Sequence, residues 1–346
     1  MQQQVDTWLA LVLSGKDRPD PEQGAWTSEV EHAPPGIDSA LAWLLEHGRG
    51  ADALKAATAL RTYWQWRGQF PDGVRWTRRI LAEAADVPNE LRARGLASLA
   101  VLYFRTGETE SSRRAAEACL TLARPLGDPA LIIDGLASLA RVGLREHDFG
   151  LVTRASTEGM KLAESVGRPE LQRLPLHCLA EGTRLSGDLV GARPLYKRSI
   201  ELNLGLGNTS MVAMERSNLA ALEIADGHPA EARRLLEDAV PSLHELGDLY
   251  VLPYGLLNAG GLALAEGDPV RAARLLGAAD GIFQHAGAEI DPADRPVFDS
   301  HVASARDALG EGGFRAAWES GHLLSVDMAV EEALSRGASE NIRHPV

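Results

Sequence analysis

Small and apolar positions recur along this chain every 40 residues. Leu99, Leu139, Leu179 and Leu219 form one series, and each is followed by alanine (Ala100, Ala140, Ala180, Ala220). Turn-type pairs recur in the same register: Gly107-Glu108, His147-Asp148, Gly187-Asp188, Gly227-His228 and Gly267-Asp268. A second glycine series, Gly127, Gly167, Gly207, Gly247 and Gly287, runs half a period out of phase. Self-similarity at a fixed period of 20–50 residues is the mark of a solenoid, because one such unit cannot bury its own apolar face.

Within a unit the apolar spacing is helical. Met211, Met214, Leu219, Leu222 and Ile224 mark a first helix that stops at Asp226-Gly227-His228-Pro229. Ala232, Leu235, Leu236, Ala239, Val240 and Leu243 mark a second that stops at Gly247, with Asp248 as a candidate N-cap for the next. A proline opens that second helix, where its missing N–H costs nothing, and a glycine closes it.

First helices are expected at about 89–106, 129–146, 169–186, 209–226 and 249–266. Second helices are expected at about 109–126, 149–166, 189–206, 229–246 and 269–286. An earlier pair, at about 50–67 and 70–84, fits less strictly, since Gly68 and Gly107 are 39 residues apart. A helix at about 37–47 precedes it, and residues 14–36, rich in Pro, Gly and charge, read as a loop. Beyond residue 287 the period is lost, and two or three shorter helices are expected up to about 336.

The predicted fold is all-α: a right-handed superhelical solenoid of about six helix pairs with helical caps. Its divisions are an N-terminal cap over 1–49, repeats over 50–286, and a C-terminal cap and tail over 287–346. Leu179 and Leu219 are expected in the core, as are Cys119 and Cys178.

Composition narrows the function. A net charge of -13 disfavours direct nucleic-acid binding, which needs a basic stripe. No apolar run is long enough to span a membrane, and Asp6 rather than a basic region precedes the short run Trp8–Leu13, so a cytoplasmic location is expected. Two cysteines without a CxxC, and ten scattered histidines, offer no metal-ligand spacing. No cofactor is expected. No G-x-S-x-G, H-E-x-x-H or glycine-rich phosphate loop is present.

Asn218-Leu219-Ala220, Gly227, Ala232 and Ala239 resemble the small-residue pattern of tetratricopeptide repeats, whose unit is 34 residues. The six additional residues are expected mostly in the second helix. A wider resemblance rests on three stretches. They are Ala40–Trp43 with Tyr63–Gly68 and Gly73–Trp76; the repeated Leu-Gly-Asp-like turns; and the tail, with Ala273–Ala279, Leu309-Gly310, Phe314, Ala317-Trp318 and Gly321. Together these resemble the C-terminal repeat region of STAND-class and large LuxR-type bacterial transcriptional regulators. The ATPase phosphate loop of such regulators is missing, and no winged helix is expected after the tail. The resemblance therefore implies a sensor or scaffold, not a motor or a DNA reader.

In tetratricopeptide stacks the first helices line a concave groove. Carrying over the groove-facing positions gives Arg94, Arg105, Asp134, Arg141, Arg145, His177, Glu181, Arg184, Met214 and Tyr254 as candidate ligand-binding residues. The arginines suit planar, bidentate recognition of a carboxylate or phosphate, and the same side chains also suit an ordinary solvated face. Met214 and Tyr254 suit an apolar side chain or packing against the C-terminal helices. The expected function is non-catalytic: a regulatory or scaffolding module binding a protein segment or a small anionic effector. The alternative is an accessory enzyme or substrate-binding protein using the same groove, with His177 and Glu181 as acid and base. The oligomeric state is left open.

Overall fold

A computed structural model describes residues 1–15, 20–84, 87–247, 251–285 and 290–335, without the side chains of 20–23. The expected turn residues Asp248 and Gly287 lie outside them. The fold is all-α: helices make up 85% of the described residues, and no strand occurs among them. Two compact units follow one another, Met1–Gly182 and Thr183–Val346.

The first unit holds α1 (Gln2–Ser14), α2 (Asp20–His32), α3 (Ile37–Glu46), α4 (Gly50–Trp66), α5 (Phe70–Glu83), α6 (Asn89–Arg105), α7 (Thr109–Leu126), α8 (Pro129–Arg145) and α9 (Phe149–Ser165). A 3-10 turn at Pro169–Gln172 leads into α10 (Arg173–Leu185), which runs across the boundary. The second unit continues with α11 (Leu189–Gly205), α12 (Thr209–Ala225), α13 (Pro229–Leu246), α14 (Leu252–Ala265), α15 (Pro269–His285), α16 (Arg295–His322) and α17 (Val326–Leu334).

The turn inside each helix pair is built the same way. Gly107 has φ 80°, its N–H reaches Phe104 O, and the N–H of Glu108 reaches Tyr103 O. This is the Schellman closure, which uses a left-handed residue to satisfy the last carbonyls of a helix. Gly227 and Gly267 repeat it with φ 78° and 81°. His147 holds the same place at φ 57°, the one non-glycine with positive φ among the described residues. Where the residue after the turn is aspartate it caps the next helix: the Asp148 carboxylate accepts from Leu151 N and that of Asp188 from Gly191 N.

The four alanines of the repeating Leu-Ala pair are fully buried, as are both cysteines. Leu219 is buried, but Leu139 and Leu179 are only half-buried, contrary to expectation for Leu179. The alanine is the buried member in every unit, whereas the leucine beside it is buried only in α6 and α12.

Two further expectations are corrected. Paired helices are equally long, 17 or 18 residues in α6 to α9 and α11 to α13, so the residues beyond the 34-residue unit are shared between both helices rather than placed in the second. Residues 20–32 form α2 and are not loop. Trp26 and Val30 are fully buried there, and Trp26 Nε1 donates to Leu11 O at 3.1 Å. A helix tolerates proline in its first turn, so Pro21 does not prevent one.

First helices pack side by side within each unit: α4, α6 and α8 in the first, α12 and α14 in the second. The candidate site residues lie on these helices and on α10.

Candidate functional site

On the first-helix face of the first unit, each arginine meets a different environment. Arg94 is exposed and pairs with Glu90 at 3.0 Å and Asp128 at 3.2 Å. Arg145 donates through Nη1 to Phe104 O at 2.7 Å, and its guanidinium lies 4.1 Å from the centroid of the Phe104 ring. Arg105 lies 5.9 Å from the same centroid. Phe104 is buried, so it holds two cations at its ring and one at its carbonyl.

Arg141 is different. Among the described residues neither it nor Arg61 of α4 has a hydrogen-bond or ion-pair partner. Arg141 keeps part of its surface in water. Even so, burial of the guanidinium lowers its pKa, and the like charges of Arg105 and Arg61 push the same way against Cys178 and Asp134. Asp134 is recessed among these cations, and no donor reaches its carboxylate. Burial raises its pKa, while Arg61, Arg141 and Arg94 oppose the rise. Only its backbone carbonyl is engaged, by Ser138 Oγ at 2.9 Å.

The structure thus gathers Arg94, Asp134, Arg141 and Arg105 around one place and adds Arg61. Arg61, Val101 and Arg141 are spaced by 40 residues, so the repeat carried back into α4 marks Arg61 as the position equivalent to Arg141. The looser fit of the first helix pair to the repeat kept it out of the candidates. On α10, His177 is half-buried and Glu181 buried, one turn apart.

The remaining candidates belong to the second unit, where the chain's own C-terminal part meets Arg184 and Tyr254. Arg184 donates through Nε to the Tyr196 hydroxyl at 3.1 Å and pairs through Nη2 with Asp294 at 3.2 Å. The Tyr254 hydroxyl accepts from Asp291 N at 3.0 Å, and its ring stands edge-on to Phe283 at 5.1 Å. Tyr254 flanks a cluster of Leu257, Leu276, Phe283, Ile290 and Phe298. Met214 is half-buried on α12.

Glu223, Asp226 and His228 come close enough to resemble a cation site. Arg193 already fills it, donating to Glu223 at 2.7 and 3.0 Å and to Asp226 at 2.5 Å. The hydrogen bond from Arg193 holds the Asp226 carboxyl below the usual range. No described helix is long and apolar enough to cross a membrane.

No known family model matches the chain. Part of it is 30% identical, over 142 residues, to curated proteins of Mycobacterium tuberculosis and Mycobacterium bovis named as HTH-type transcriptional regulators. That match covers 38% of this chain and only 16% of theirs. A solved Rap protein, crystallised with competence and sporulation factor, superposes with a TM-score of 0.57 at 12% identity, covering 92% of this chain and 99% of that one. A STAND protein with a tetratricopeptide repeat sensor from Pyrococcus horikoshii gives 0.51 at 12% identity, covering 93% of this chain and 52% of that one. The fold is therefore that of tetratricopeptide-like helical-repeat proteins.

Proposed function

We propose that the chain is a non-catalytic regulatory module that binds an acidic segment of a partner protein on the first-helix face of its first unit. The observation that carries this reading is Arg141, recessed, without an ion pair, and set beside Arg61 and Arg105. A guanidinium so placed has no carboxylate partner within the protein, and an incoming anion supplies charge-assisted hydrogen bonds to it. A small anionic effector would use the same groups.

Regulation is supported by two likenesses. The partial match to the mycobacterial regulators agrees with the sensor or scaffold role that the STAND-type resemblance implies. The Rap protein shares the fold and was crystallised with a factor bound. In this reading Arg94, Asp134, His177 and Glu181 border the site. Arg145 supports it from Phe104, and Arg184, Met214 and Tyr254 serve the second unit.

The test is binding. Native mass spectrometry of the purified chain identifies any retained segment or effector, and a library of acidic peptides supplies ligands otherwise. Replacing Arg61 and Arg141 together by Gln should weaken that binding tenfold or more and leave the helical content intact. Binding should also weaken as salt rises, since an open charged face is screened. A partner held equally well by the double variant would place the binding surface elsewhere.

A further inference from the structure

The basic face contains its own anion. Asp134 sits within electrostatic reach of three arginines and has no hydrogen bond with any of them. A carboxylate that served only to neutralise would be expected to close on a guanidinium in a two-point contact. Asp134 and Arg141 are on the same helix, seven residues apart, and Arg61 reaches in from α4. Their backbones are fixed by buried neighbours: Ala57 and Leu60 on α4, Ile133, Ala137 and Ala140 on α8. The charges are held near one another but apart.

We infer that Arg61, Arg105 and Arg141 form an anion subsite for a carboxylate of an acidic partner segment, with Asp134 as the internal counter-ion that takes a proton from solvent when that carboxylate binds. This rests on the segment-binding reading above and specifies its chemistry. In the free protein Asp134 compensates part of the cationic charge. An incoming carboxylate replaces it as the counter-ion and repels it, and protonation removes that repulsion. Burial already favours the protonated form of Asp134. Binding is therefore coupled to proton uptake, and affinity rises as pH falls.

The groups facing Asp134 are Arg61 from α4, Arg94 from α6, Cys119 from α7, Asp128 at the N-cap of α8, and Arg141 from α8. Burial pushes the Cys119 thiol up to about 12, so it stays neutral throughout the working range. Arginines do not titrate there either. On α10, His177 is a further ionisable side chain and needs its own control.

The probe is a fluorescein-labelled penta-aspartate peptide, with penta-asparagine as the uncharged control, read by fluorescence anisotropy from pH 8 to pH 5. The unaltered chain should bind penta-aspartate more tightly as pH falls, and Arg141→Gln or Arg61→Gln should weaken binding at least tenfold. Asp134→Asn should tighten it threefold or more at pH 8 and flatten the pH profile. His177→Asn should keep the profile. Glu117→Gln removes one negative charge from an exposed position, and its affinity should stay within twofold. Melting temperature and helical content of each variant check the fold.

The proposal is overturned if Asp134→Asn binds no better than the unaltered chain, or if its pH dependence persists. Inorganic phosphate that competes for the site while penta-aspartate fails to bind would overturn the carboxylate assignment. A natural segment whose binding needs Arg61 and Arg141 but ignores Asp134→Asn would sink the counter-ion role alone. A segment indifferent to all three residues would sink the segment-binding reading with it.

Discussion

At the scale of single residues, position 147 isolates what the repeating turn requires. His147 adopts the left-handed conformation that Gly107, Gly227 and Gly267 adopt in the other units. For an L-residue that conformation costs about 1 kcal/mol, from contact between Cβ and its own backbone. A Cβ added at Gly227 would meet nothing within 4 Å, so replacing that glycine tests the backbone alone. Gly227→Ala should therefore lower stability by about 1 kcal/mol, and His147→Gly should raise it by a similar amount. Urea unfolding measures both, and equal signs would mean that the turn does not set the backbone there. Turn glycines are legible in sequence because a steric rule acts on each one locally. Pairing is not legible in that way. Arg141 and Arg145 stand four residues apart on α8, and the repeat pattern treats them alike. Only the structure shows that Arg145 is committed to Phe104 and that Arg141 has no such partner.

At the scale of elements, the last helix shows how buried charge can fasten a terminus. Arg271 of α15 is 4% exposed. Its Nε donates to Glu332 O at 3.2 Å, its Nη2 to Ala333 O at 3.1 Å, and its Nη1 to Glu266 at 3.3 Å. The two carbonyls belong to the final turn of α17, where helical donors run out; Glu332 O also accepts from Ser335 N and Oγ. Arg274 adds an ion pair to Glu332 at 3.3 Å. Arg271→Ala should leave Ala333 O without this donor and Glu266 with Arg233 alone, at a cost of about 2 kcal/mol. Because α17 is only nine residues long, the loss should show first as local release. Hydrogen exchange should accelerate over 326–334, and proteases should cut near Leu323, which is 86% exposed. Arg271→Lys should rescue little, since one ammonium cannot reach three acceptors in a fork. Unchanged exchange in α17 would show that its apolar face, with Ala329, Val330 and Ala333 buried, suffices. At this same scale sequence reading failed for α2. Proline and charge around it look like loop, and the burial of Trp26 and Val30 that stabilises it depends on partners distant in sequence.

At the scale of the whole molecule, the repeats were legible because each unit carries its own start and stop signals, and the all-α fold follows from their sum. How a stack ends is a different problem, since an end lacks the neighbour that the pattern assumes. The last regular pair, α14 and α15, leaves Leu257, Leu276 and Phe283 to be covered, and all three are buried. Phe298 of α16 joins them, while Phe314, Ala305 and Ala317 pack against Ala273. The approach is close: a Cβ on Gly277 would come within 2.5 Å of Trp318 O, and one on Gly321 within 2.1 Å of Arg274 O. Gly310, at φ 67° and ψ 164°, breaks α16 so that both of its halves can reach this surface. Deleting residues 287–346 should therefore expose a contiguous apolar face, and the truncated chain should aggregate or lose cooperative unfolding. Gly277→Ala makes the same point without deletion. Its methyl group would have to push the backbones of α15 and α16 apart, which should lower the melting temperature while the chain stays soluble. Size-exclusion chromatography and thermal unfolding read both. A truncated chain that remains monomeric with unaltered melting would mean that α15 closes the stack by itself and that α16 serves something other than its stability.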